Sequence, residues 1–207
     1  MVRHPSGALF VSGYWDPIPP VYKSVDQGTS WTRVNTGTEA DGAAGNSDLD
    51  MAVGPDGTLY LLTLMFDRAK YAGAGIRVAV SRDVGATWTK WKIADTPAIP
   101  YYPYLVAQSR GELVASWLTG KGNGLRANLA QITVLADSQP PRVALAPSFA
   151  FESFMLPGFG SPTDHDAAGE YLPVIWLPDG SIGIVTPIQN VAAKRTGFMW
   201  RRYRLQR

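Results

Sequence analysis

The chain has 207 residues, 45% apolar and 17% charged, and a formal net charge of +2 from 19 basic and 17 acidic side chains. That balance excludes intrinsic disorder and gives no electrostatic case for a nucleic-acid partner. The absence of cysteine excludes disulfides and thiolate metal sites, and no apolar run approaches the roughly 20 residues of a membrane-spanning helix. Glycine (21) and proline (16) are frequent, seven Trp and nine Tyr sit among short apolar runs, and no long stretch has a helical period. The composition therefore predicts an all-β protein with many tight turns.

In chain order, four strand–turn–strand units align on a turn glycine: VRHPSGALFVSGY on Gly7, LDMAVGPDGTLYLLTL on Gly57, YLVAQSRGELVASWL on Gly111 and VIWLPDGSIGIVTPI on Gly180. Asp56-Gly57 and Asp179-Gly180 are strong hairpin signals. A third strand follows each hairpin: PPVYKS, GIRVAVS, GLRANLAQITV and TGFMWRRYRL. The first two units add a fourth, WTRVN and WTKWKIA. The repeat is thus a four-stranded antiparallel meander of about 50 residues, the size of a propeller blade. Blades are expected at roughly 1–36, 46–95, 100–136 and 168–207, in one domain. The Pro- and Gly-dense stretch 137–167 is expected as an irregular insertion, with one short strand within 148–154. Alternation in FMWRRYRL makes Arg201, Arg202, Arg204 and Arg207 the polar face of a last strand.

Between the third and fourth strands the first two units carry near copies, SVDQGTSW at 24–31 and SRDVGATW at 81–88. In such an octapeptide the Asp accepts backbone N–H bonds within the turn and the Gly supplies a positive φ. The hydroxyl residues satisfy the remaining turn groups, and the Trp packs back on the blade. This is a folding device, so Asp26 and Asp83 are structural and not catalytic. The residues carrying it are Ser24, Asp26, Gly28 and Trp31, then Ser81, Asp83, Gly85 and Trp88. The two octapeptides resemble the Asp-box of BNR-repeat proteins, the superfamily that includes the sialidases. SDLDMAVGPDGTLYLLTL followed by GIRVAVSRDVGATWTKWKIADTPAI is similar to a blade of secreted sialidase-like propellers. GEYLPVIWLPDGSIGIVTPIQN, ending in GFMWRRYRL, resembles a closing blade. The resemblance implies a β-propeller, six-bladed in sialidases, and an extracellular or periplasmic location. MVRHPSGALF lacks the apolar core of a signal peptide, so an export signal is expected outside this sequence.

The register locates a candidate site. Nine residues before the turn glycines stand Asp48, Tyr102 and Tyr171; seven before stand Asp50, Tyr104 and Pro173. These positions open the innermost strands, which converge on one mouth of a propeller's channel. In the first unit the same count falls before Met1. Two readings follow: about four blades as the C-terminal part of a larger ring, or a compact four-bladed ring. The first would leave open blade edges through which copies can associate.

Sialidase chemistry, as the resemblance implies it, needs three arginines for the substrate carboxylate, an acid/base Asp, and a Tyr nucleophile helped by a Glu. GEYLPVIWLPDG matches the nucleophile segment and would make Tyr171 the catalytic residue, although Leu172 and Pro173 replace small polar residues there. None of the four glutamates, Glu39, Glu112, Glu152 and Glu170, is an evident partner, the arginine triad is not assignable, and Arg126 falls on a third strand away from the channel. The expectation is a non-catalytic propeller that binds a carbohydrate or protein at the channel mouth through Asp48, Asp50, Tyr101, Tyr102, Tyr104, His165 and Asp166. The alternatives are an exo-sialidase-type hydrolase whose early blades lie elsewhere, and a purely structural interaction propeller. No cofactor is expected. Asp48 with Asp50 offers oxygen ligands for Ca²⁺ as an alternative, and the DHD at 164–166 lacks a third ligand.

Overall fold

A computed structural model gives the architecture. The structure describes residues 1–12, 21–37, 44–67, 72–96, 98, 100–109, 111–120, 126–136, 138–150, 173–190 and 195–204. Sixteen strands among them form four antiparallel sheets, each ordered as the chain runs. The first contains β1 (Val2–Arg3), β2 (Leu9–Ser12), β3 (Val21–Ser24) and β4 (Thr32–Val34). The second contains β5 (Ala44–Val53), β6 (Leu59–Asp67), β7 (Ala72–Ser81) and β8 (Thr89–Ala94). The third is β9 (Pro100–Ala107), β10 (Glu112–Thr119), β11 (Arg126–Thr133) and β12 (Arg142–Leu145), with β13 (Phe149–Ala150) also on β11. The fourth is β14 (Val174–Trp176), β15 (Ile182–Asn190) and β16 (Arg195–Tyr203). Each sheet contains one of the four strand–turn–strand units that align on a turn glycine. No helix among the described residues is long and apolar enough to cross a membrane.

The third blade departs from the sequence reading. Its outer edge comes from inside the stretch 137–167, expected as an irregular insertion. β12 pairs with the second half of β11, Ala130 opposite Leu145 and Thr133 opposite Arg142, and β13 pairs with its start, Ala127 opposite Phe149. Pro140, Pro141 and Pro147 flank these short strands and make the segment read as loop. Proline is tolerated there because an outermost strand offers one row of backbone groups to no partner. The Arg126 guanidinium closes the gap between β12 and β13 by donating to Ser148 Oγ at 2.8 Å and Ser148 O at 2.5 Å.

The hairpins share one turn. In the first, second and fourth blades a residue's N–H bonds the carbonyl four positions on, and the glycine N–H bonds back: His4 with Ala8 and Gly7, Gly54 with Thr58 and Gly57, Leu177 with Ser181 and Gly180. This is a three-residue loop closed by a left-handed glycine, with φ +91°, +83° and +76° at Gly7, Gly57 and Gly180. The turn aspartates brace it: Asp56 accepts from Thr58 N at 3.1 Å and from its hydroxyl at 2.9 Å, and Asp179 accepts from Ser181 N at 3.2 Å and its hydroxyl at 2.6 Å.

The two octapeptides fold alike. Ser24 Oγ donates to Asp26 and accepts from Gly28 N, at 2.8 Å each, and Ser81 does the same to Asp83 and Gly85 at 2.8 and 2.9 Å. The far side of each carboxylate takes an amide and a hydroxyl, from Ser30 at 2.9 and 2.6 Å and from Thr87 at 2.8 and 2.6 Å. Each Trp indole donates to the glycine carbonyl, Trp31 to Gly28 and Trp88 to Gly85. The Ser30 hydroxyl and amide, then the Ser24 hydroxyl, hold the Asp26 carboxyl at about 2. At Asp83 burial pushes upward, but the Thr87 hydroxyl and amide and the Ser81 hydroxyl outweigh it and hold that carboxyl at about 2 as well.

The core lies between blades. In β6, Leu59 and Leu61 meet Ala8, Phe10 and Val21 of the first blade, while Tyr60, Leu62 and Leu64 meet Leu105, Leu113 and Ile132 of the third. Period-2 alternation therefore buries both faces of one strand, and LYLLTL reads as a continuous apolar run instead of an amphipathic one. Each of these leucines is fully buried and contributes about 1.5–3 kcal/mol. Val114, Leu129 and Ala146 pack on Val174 and Ile182 to join the third and fourth blades.

Polar side chains link the same neighbours. His4 Nε2 donates to Gly57 O at 2.8 Å, with the ring's other nitrogen accepting from Ser6 N at 3.0 Å; this pairing fixes the tautomer. Lys23 donates to Val84 O, and Tyr60 Oη accepts from Gly111 N at 3.0 Å.

Candidate functional site

Antiparallel meanders put the glycine turns at one end of each blade and the starts of β5 and β9 at the other. Both starts are bulged. In β5, Asn46 faces Met65 and Asp48 faces Leu64, so Ser47 is the extra residue. In β9, Tyr101 faces Leu118 and Tyr104 faces Ser116, so Tyr102 and Pro103 together oppose Trp117. A bulge at a rim kinks the strand and re-aims its side chains.

Tyr102 sits at φ +51°, in the left-handed region. A bulky residue rarely adopts it, and a residue before proline is normally held extended. Local strain of this kind persists only where its surroundings enforce it, and it collects at functional positions. The Tyr101 and Tyr102 ring centroids lie 6.2 Å apart, tilted by 42°. Tyr101 is buried with Leu118, Ala127 and Ile184, against which Tyr102 and Tyr104 pack half-buried. Tyr104 also reaches the cluster joining the third and fourth blades.

Asp50 connects the two inner strands. Its Oδ1 accepts from Met51 N and its Oδ2 from Leu105 N, both at 2.8 Å. Burial pushes the Asp50 carboxyl above its ordinary value, and the Leu105 and Met51 amides offset only part of that. Each carboxylate oxygen keeps a second lone pair for a ligand hydroxyl. The structure thus brings Asp50 beside β9, and with it the segment bearing Tyr101, Tyr102 and Tyr104. The Asp48 side chain, and all of His165, Asp166 and Tyr171, lie outside the described residues. Among the described residues, no three His, Asp or Glu side chains gather as a metal site.

The basic residues of β16 have local work. Arg202 and Arg204 both pair with Asp179 Oδ2, the latter at 2.9 Å, and Arg202 Nε donates to Ser181 Oγ at 2.7 Å. The Ser181 hydroxyl, then Arg204, hold the Asp179 carboxyl well below the usual carboxylate range. Arg201 stacks over Phe149, 4.6 Å from the ring centroid. Sequence reasoning missed the links from Asp50 to Leu105, His4 to Gly57 and Tyr60 to Gly111. The signal available for each was a lone polar side chain within an apolar strand or turn.

The sequence matches no protein-family model and no curated protein. Solved structures are similar in fold. An α-L-arabinofuranosidase of Fusarium graminearum, bound to an iminosugar inhibitor, superposes over 96% of this chain and 59% of its own, with TM-score 0.56 and 15% identity. The endosialidase of phage phi92 superposes over 91% of this chain and 32% of its own, with TM-score 0.54 and 13% identity. An α-L-arabinanase of Penicillium chrysogenum complexed with arabinobiose covers 98% of this chain and 61% of its own, with TM-score 0.50 and 16% identity. The chain therefore spans about 60% of the length of the arabinofuranosidases it resembles. Its fold is that of a β-propeller.

Proposed function

We propose that this sialidase-like β-propeller binds a glycan at the mouth formed by the starts of β5 and β9, without turning it over. The observation that carries the reading is Tyr102, an aromatic residue mounted in a left-handed conformation on a bulge at that mouth. A phenol ring offers a face for the C–H edge of a sugar, and Asp50, on the adjoining strand, offers lone pairs for hydroxyls. Solved structures with this fold carry an iminosugar and arabinobiose, which favours a carbohydrate over a protein ligand. Binding is favoured over hydrolysis because none of the four glutamates is an evident partner for a nucleophile and no arginine triad is assignable in the sequence. The reading puts the protein outside the cytoplasm, where polymeric glycans are met.

A second reading is a glycoside hydrolase in which this chain is one part of a longer ring. The share of the arabinofuranosidase that the chain covers favours it. One experiment separates the two: calorimetric titration of the chain with arabinobiose and with sialyllactose, with chromatography of the sugar afterwards. Binding without cleavage, weakened about tenfold or about 1.4 kcal/mol by Tyr102→Ala, is the expected result. Cleavage would move the assignment to hydrolysis, and neither binding nor cleavage would remove both readings.

A further inference from the structure

In three blades the third strand is covered on its outer side: β3 by β4, β7 by β8, and β11 by β12 and β13. β16 holds the same place in the fourth blade, and among the described residues β15 is its only strand neighbour. The hydrogen-bond phase of the sheet fixes which backbone groups of β16 are open. Leu177 N–H bonds Ser181 O at 2.8 Å and Val185 N–H bonds Pro173 O at 3.4 Å, so Ser181, Gly183 and Val185 turn their backbone groups toward β14. Ile184 and Thr186 therefore bond across to their partners on β16, Arg201 and Met199. Phe198, Trp200 and Arg202 turn N–H and C=O outward, an edge of the kind that pairs with another chain. Arg201 stacks on Phe149 of the third blade, so by alternation Phe198, Trp200 and Arg202 share the flank facing away from that blade. On that flank Phe198 is 76% exposed and Trp200 50%.

We infer that β16 pairs antiparallel with β16 of a second copy about a two-fold axis at Met199, joining two fourth blades into one six-stranded sheet. Charge selects the register. An axis at Arg201 or Arg202 sets an arginine against its own copy, and an axis at Phe198 sets Arg201 against Arg195. Like charges directly opposite are destabilising. An axis at Trp200 leaves the two copies of Arg201 two positions apart along the strand, about 7 Å, which is inside the Debye length of about 8 Å. An axis at Met199 separates them by four positions, about 13 Å, where salt screens them. That axis also centres the strand, so all nine residues of Arg195–Tyr203 find partners. The fourth strands of the other blades pair over only three to five residues, so the longer ladder offsets the lack of a covalent connection. Trp200 of each copy falls opposite Phe198 of the other, and the exposed rings cover one another as cross-strand aromatic pairs in a self-complementary interface.

This pairing uses the outer edge of the fourth blade and is independent of glycan binding at the channel mouth. Sedimentation velocity from about 2 to 200 µM tests it. The expected result is a concentration-dependent shift from 22.4 kDa to twice that mass, as befits a small interface. The Trp200 N–H points away from β15, so Trp200→Pro removes an edge donor and the ring without breaking the ladder inside the blade, and it should weaken the dimer at least tenfold. Trp200→Phe keeps the aromatic pair and should dimerise within about threefold of the parent. The chain has no cysteine, so single cysteines report the register cleanly. Met199→Cys places its two copies in a non-hydrogen-bonded pair with Cα atoms about 4.5 Å apart, within disulfide reach, and should cross-link under mild oxidation. Arg201→Cys, with its copies about 13 Å apart, should not. A monomer at every concentration overturns the inference. A dimer unaffected by Trp200→Pro overturns the edge, and equal cross-linking of the two cysteine variants overturns the register.

Discussion

Asp50 and Leu105 stand 55 positions apart, and a 2.8 Å hydrogen bond from the Leu105 amide to Asp50 Oδ2 joins the inner strands of neighbouring blades. Truncation to Asp50→Ala leaves that amide and the Met51 amide without their acceptor. The expected loss is about 2–3 kcal/mol, which for a chain of this size lowers Tm by about 4–12 °C. Differential scanning calorimetry checks it, and a change within about 1 °C would show that the bond is replaced by water.

The carboxylates give stability two opposite pH dependences. Asp26 and Asp83 are held at about 2 against an ordinary 3.8, so what they add is complete above 3.8 and is lost as the pH falls toward 2. Asp50 is displaced upward, so the folded chain holds that proton more tightly than the unfolded one. Stability attributable to Asp50 therefore declines as the pH rises from 3.8 through its raised value. Urea midpoints measured from pH 7 to 2 should show a steep acid limb that flattens in the Asp26→Asn, Asp83→Asn double variant. Asp50→Asn should leave that limb intact and remove the shallow gain between neutral pH and 3.8. Superimposable profiles would sink the assignment.

The two octapeptides are wired alike but are not equally demanding. Gly28, at φ +91°, would bring a methyl no closer than 3.6 Å to a neighbour, whereas at Gly85, φ +82°, the methyl would lie 2.9 Å from the Phe10 ring. Gly28→Ala should cost the left-handed penalty alone, about 1–2 kcal/mol. Gly85→Ala should add an overpacking cost of about 1–3 kcal/mol because Phe10 is fully buried and cannot retreat. Equal denaturation midpoints would contradict this ranking.

Tyr102 permits a test of strain separate from contact. Tyr102→Gly and Tyr102→Ala both delete the ring, but only alanine keeps a Cβ in the left-handed region. The glycine variant should be the more stable by about 1 kcal/mol, and both should lose glycan binding. If alanine is as stable as glycine, the backbone relaxes and φ +51° is not enforced.

The blades were legible because the turn glycines and octapeptides recur at fixed places in a two-residue alternation. Local chemistry wrote those features into the sequence, and local chemistry reads them out. β12 was not legible: four residues, Arg142–Leu145, between prolines carry too little pattern to outweigh the loop signal, and only pairing with β11 makes them a strand. The candidate site was half legible. Counting back from the glycines expects Asp50, Tyr102 and Tyr104 to open the inner strands; Tyr102 and Tyr104 are the third and fifth residues of β9, whereas Asp50 is the seventh of the ten residues of β5. The same count could not see that Tyr102, before Pro103, would break the extended rule, because the bulge opposite Trp117 is a property of two strands. Nor could it see that the second oxygen of Asp50 is spent on another blade.

The double allegiance of β6 bears on how such a protein can be divided. Leu59 and Leu61 serve one neighbour while Tyr60, Leu62 and Leu64 serve the other. A one-residue slip would therefore present every side chain to the wrong partner on both flanks at once. A blade excised by itself would bare both flanks, so the quantity that folds as a unit is the seam and not the blade. Attempts to shorten, lengthen or recombine the ring should cut where a seam is already thin, and the repeat visible in the sequence does not mark those places.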